Sequence, residues 1–135
     1  MDWKKDLNEA KQYARAVDGM IINRKVDNET LYHIICLSVE KFTSSLAGMQ
    51  NYIPMNSGIT FIFGELKKMM DFPENFMGEA RFLNGFMTYC SLDFVKPKEV
   101  SEVDLGRMVG FLGELELYTE MKENYLCHNY KILIK

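Results

Sequence analysis

Apolar residues recur every three or four positions through most of this chain, which is the period of one face of an α-helix. Over residues 2–24 the stripe is Trp3, Leu7, Ala10, Ala14, Val17 and Ile21. A second helix is predicted from Asp27 or Asn28, either of which can cap it, to about Gln50. Its stripe is Leu31, Ile35, Phe42, Leu46 and Met49, widened by Ile34 and Val39. Pro54 then steers the residue before it away from helical angles and forces a break. Ser57 is placed to cap a third helix over about 58–70, carrying Ile59, Ile62, Phe63, Leu66 and Met70.

Asp71-Phe72-Pro73 starts a fourth helix, since proline suits the first helical turn. Its stripe is Phe76, Ala80, Leu83, Met87, Cys90 and Phe94, and Pro97 ends it. Ser101, with Asp104 three residues on, resembles a capping box for a fifth helix over about 102–125. The tail, 126–135, is basic and rich in β-branched residues and reads as a short strand or a docked arm. Five amphipathic helices with short joints predict an all-α fold, an antiparallel up-and-down bundle. Residues 1–135 form one domain on this reading, with the bundle in 1–125 and the tail in 126–135.

Composition agrees with a globular domain. Of 135 residues, 47% are apolar and 26% charged. The net charge of −3 argues against strong nucleic-acid binding. The charge is uneven, however. Residues 1–25 carry six bases and four acids, whereas 97–125 carry seven acids and three bases. Complementary solvated faces are the expectation. Charged residues are spread through the first twelve positions with no apolar run among them, and no apolar run elsewhere reaches the ~20 residues of a membrane span. A cytoplasmic protein away from membranes is therefore expected. Cys36, Cys90 and Cys127 are odd in number and lack CxxC spacing, so free thiols packed as small hydrophobes are expected.

Few residues invite a chemical role. His33 and His128 are the histidines, and Glu29 lies one turn before His33 on the same helix face. No Glu-x-x-His pair occurs, so no bundle-core metal site is expected. No phosphate loop, nucleophile elbow or dinucleotide fingerprint is present, and no cofactor is expected. Cys127 and His128 are neighbours that a strand would point to opposite faces. Two features stand out. Gly106, Gly110 and Gly113 fall four and three apart on the fifth helix, beside Leu105, Met108, Val109, Leu112 and Leu115. They would admit very close approach of another helix, either within the chain or from a second subunit. Ten methionines and seventeen aromatic residues also exceed what the stripes use. Phe61, Phe82, Phe86, Tyr89 and Phe111 lie beside those stripes, which suggests an extra apolar face or an adaptable pocket.

The run Leu31 to Leu46 resembles the second helix of HEPN domains, with Val39-Glu40-Lys41-Phe42 matching that family's "Val-Glu-Lys-hydrophobic" core. The turn at Pro54, Glu65-Leu66 and the helix start at Asp71-Phe72-Pro73-Glu74 are similar to the segments that follow in the family. The resemblance spans most of residues 8–122. It implies a helical bundle and a homodimer. Active members use an arginine followed four to six residues later by a histidine, for phosphate binding and acid–base cleavage of RNA. Arg15, Arg24, Arg81 and Arg107 have no histidine at that spacing, and Thr88-Tyr89-Cys90-Ser91 stands where the family often places its arginine. The resemblance therefore implies a non-catalytic binding module for a nucleotide or an operon-encoded protein, of toxin–antitoxin or nucleotidyltransferase-partner type. The alternatives are a divergent ribonuclease, using His33 with Arg81 or Arg107 across helices, and a structural bundle matched through helix periodicity alone.

Overall fold

A computed structural model of the chain describes residues 2–23, 26–55, 58–86 and 99–134, with side chains as far as His128. Among these residues the secondary structure is five helices: α1 (Trp3–Asn23), α2 (Asn28–Met49), α3 (Ile59–Met69), α4 (Glu74–Asn84) and α5 (Glu102–Ile134). The fold is an all-helical bundle.

Helix ends follow the local chemistry. The Asp27 carboxylate accepts from the Thr30 N–H at 2.8 Å and caps α2. The α2 C-terminus closes with Tyr52 N–H on the Ala47 carbonyl at 2.9 Å and Asn51 N–H on the Gly48 carbonyl at 3.0 Å. Asn51 holds the left-handed turn this Schellman closure needs, at φ 54°. At α5 the expected capping box forms: Ser101 Oγ accepts from Asp104 N–H, and Asp104 Oδ2 accepts from Ser101 N–H, both at 3.1 Å. Gly58 caps α3 without a side-chain bond, and Ser57 lies outside the described residues. Helix α4 is followed to Asn84. The positions expected to continue it, Met87, Cys90, Phe94 and Pro97, lie outside the described residues.

The centre of the bundle is α2, which is buried on more than half its circumference. Small residues let α1 lie close against it. Ser38 Oγ donates to the Ala10 carbonyl at 2.8 Å, and Ser45 Oγ to the Trp3 carbonyl at 3.0 Å, so the two helices run antiparallel. Lys41 bridges to Glu9 at 2.8 Å and Asp6 at 3.8 Å over the same seam. On the other side, Phe63, Phe72, Phe76, Phe111 and Tyr118 knit α3, α4 and α5 together, mostly edge to face. Antiparallel pairing holds within α1–α2 and again through α3, α4 and α5. Because α5 also runs opposite to α1, it lies in the same sense as α2. Among the described helices α2 and α3 therefore run in the same sense.

Three expectations need correction. The tail is neither a strand nor an arm. Helix α5 runs unbroken to Ile134, through all but the last tail residue. No proline or glycine interrupts 126–135, and extending an existing helix adds a hydrogen bond per residue without a new nucleus. Phe86 and Phe111 do not form an extra face, because both are buried in the core. Phe61 is exposed and Tyr89 lies outside the described residues. Finally, Cys36 is buried as expected but Cys127 is exposed, while Cys90 lies outside the described residues.

The uneven charge resolves into one contact. Lys11 of α1 meets Glu120 of α5 at 3.6 Å, and Arg15 meets Glu116 at 2.5 Å. Burial pushes the Glu116 carboxyl up from its ordinary value, against the pull of Arg15.

Candidate interaction face

The three side chains considered for catalysis are not gathered into one site. His33 is exposed on α2, 3.9 Å from Glu29. Arg81 is exposed in the last turn of α4. Arg107 projects from α5 into a fork: Nε lies 3.0 Å from Glu79 Oε2 and Nη2 3.1 Å from Glu79 Oε1. Its guanidinium stacks on the Phe82 ring, with 3.9 Å from Cζ to the centroid. That bond to Glu79 holds the Arg107 pKa above its usual value.

A run of rings lies between Arg107 and His33. Phe82 meets Phe86 at 5.2 Å, Phe86 meets Tyr32 at 5.7 Å, and Tyr32 meets His33 at 5.5 Å between centroids. Tyr32 is held by its own bond to the Leu83 carbonyl, at 2.6 Å. The arginine and the histidine therefore stand at opposite ends of a packed aromatic row. Among the described residues no group of three or more His, Cys, Asp or Glu is placed to hold a metal ion.

An open cleft of about 550 Å³ lies between α2, the following loop and α3. Glu40, Thr43 and Ser44 face Pro54, Met55, Ile59 and Ile62 across it. Thr43 spends its hydroxyl on the Val39 carbonyl at 2.7 Å, so it brings little binding chemistry to the cleft.

The glycines of α5 are the more telling feature. A Cβ placed on Gly106, Gly110 or Gly113 meets no atom within 4 Å apart from local helix backbone and chain neighbours. Among the described residues no other helix packs against them. They lie on the outer side of α5 in one line with Val103, Leu117 and Met121, at spacings of three and four. Those three side chains are 82%, 69% and 58% exposed, and Tyr125, one turn further, is 65% exposed. The opposite side of the same helix holds Leu105, Met108, Leu112 and Leu115 in the core. Helix α5 is thus apolar or neutral on two sides, the pattern of a helix covered on both.

Acids near this line already have partners. Glu114 accepts from Asn75 Nδ2 at 3.0 Å, and Glu116 and Glu120 bind α1. Further along the helix, residues 124–128 are all exposed. No helix among the described residues is long and apolar enough to cross a membrane. Compared with protein-family models, with curated proteins and with solved structures, the chain finds no match.

Proposed function

We propose that this protein is a non-catalytic, HEPN-like helical bundle that works by binding, as a homodimer joined along the outer side of α5. The observation that carries the reading is the glycine line of α5, open among the described residues and bordered by exposed Val103, Leu117 and Met121. A soluble helix gives up about 1 kcal/mol for each internal glycine relative to alanine. Three on one face, with no local packing to explain them, make sense when another backbone comes close.

The separation of His33 from Arg107, and the hold of Glu79 on that arginine, support a binding role over RNA cleavage. The family resemblance makes a nucleotide or a protein encoded alongside the ligand that such a dimer would present.

Full burial of Val103, Leu117 and Met121 is worth about 1.5–3 kcal/mol each. Two copies supply six such side chains, against an association cost of about 4–15 kcal/mol. The two ranges overlap, so the balance predicts weak, reversible pairing that is lost on dilution.

The test is light scattering across a size-exclusion peak over a concentration series, with absorbance at 260 and 280 nm. A dimer that dissociates on dilution is expected, and Gly110→Arg should make it monomeric. Excess absorbance at 260 nm would identify a nucleotide as the ligand. A monomer at every concentration overturns the reading.

A further inference from the structure

The outer face of α5 is symmetric about Gly110. Val103 lies seven residues before it and Leu117 seven after, each about 10 Å along the axis. Gly106 and Gly113 lie between, nearly equidistant. Arg107 and Glu114 stand three before and four after, both on the same flank of the line.

We infer that a second copy of this chain docks antiparallel along α5, on a twofold axis at Gly110. Val103 of each copy then packs against the partner's Leu117, and Arg107 meets the partner's Glu114. The inference rests on the proposed dimer and supplies its direction and register.

Three observations favour this occupant and this direction. A twofold axis perpendicular to the helices turns each flank onto the same flank of the other copy. Opposite charges, Arg107 and Glu114, then come level. Glu79 takes Nε and Nη2 of Arg107, so Nη1 stands outside that fork. A parallel pair would instead bring each flank against the opposite one, where Val109 rather than an opposite charge stands nearest the level of Arg107. Second, the shape is self-complementary. The glycines at the middle admit the closest approach, and Val103 with Leu117 fills the space as the helices diverge. Third, antiparallel helices align their dipoles favourably, whereas parallel ones repel.

Disulfide trapping tests the register, in a Cys90→Ser, Cys127→Ser background that keeps the buried Cys36. Val103→Cys and Leu117→Cys chains carry tags of different mass and are oxidised singly and mixed. The expected result is a mixed disulfide forming about tenfold faster than either symmetric one, since bridging demands close Cα atoms. Symmetric 103–103 and 117–117 disulfides would overturn the direction while leaving the dimer standing. A dimer by light scattering with no cross-link at either position would overturn this surface but not dimerisation. A monomer at every concentration would overturn both.

Discussion

The two sides of α5 use the same spacing for opposite ends. On the inner side Leu105, Met108, Leu112 and Leu115 step along the helix and are buried. On the outer side Val103, Gly106, Gly110, Gly113 and Leu117 step equally regularly and are exposed. Periodicity alone marks both as faces. What separates them is side-chain volume. The inner side carries bulk that fills the space between α2, α3 and α4, whereas the outer side carries glycines flanked by apolar residues. A face built for the core of its own chain needs volume; the docking proposed for the outer side would use its absence.

Substitutions can break that comparison. Leu115→Ala removes a fully buried side chain and is expected to cost about 2–5 kcal/mol, read from urea unfolding at low protein concentration. A loss below ~0.5 kcal/mol, the range of a surface change, would mean the inner side is not the core.

High pH probes the packed interior from another direction. Burial pushes the Cys36 thiol up to about 11 and the Tyr118 hydroxyl up to about 12. In the unfolded chain these groups ionise near 9 and 10. Their raised folded values mean that the stabilisation is fully present below pH 9 and is lost as pH rises towards 12. Stability measured over that window should fall for the natural chain. The fall should be shallower in Tyr118→Phe, which also gives up the bond to the Asp71 carbonyl. Equal slopes would show that Tyr118 ionises freely.

Gly110→Ala is expected to act in two opposite ways. In the dilute monomer its methyl group meets nothing, so folding gains about 1 kcal/mol. At high concentration the same methyl group stands between two backbones and weakens the dimer. A gain in Tm that persists unchanged at every concentration would sink the idea that α5 pairs there. The smallest change in folding belongs to Leu117→Ala, below about 0.5 kcal/mol in the monomer, with its effect appearing in dimer dissociation.

Much of this fold was legible in the chain. Asp27 and the Ser101–Asp104 pair announce their helices, because caps are local chemistry that neighbours in sequence complete. The stripes of α1 and α2 name most of their buried residues, since solvent exposure follows helix phase. Phe86 and Phe111 were harder. Their burial depends on which helix crosses them, and a one-dimensional pattern carries no crossing angles. The tail misled for a related reason: β-branched residues weigh weakly against a helix that already exists upstream.

The site divides the same way. The glycine line could be read from spacing, and so could its two uses, but not the open space around each glycine among the described residues. The separation of His33 from Arg107 was not readable at all. It is set by three aromatic rings from two helices and a turn. Lys11 and Arg15 meeting Glu120 and Glu116 lies between these cases: the charge imbalance was visible, the partners were not.

The run of α5 past Met121 gives a single helix two lifetimes. Between Leu105 and Thr119 its amides open only when the core opens, so they should exchange with solvent at the pace of global unfolding. Over Asn124 to His128 every residue is exposed, and those hydrogen bonds should open on the far faster clock of an isolated helix.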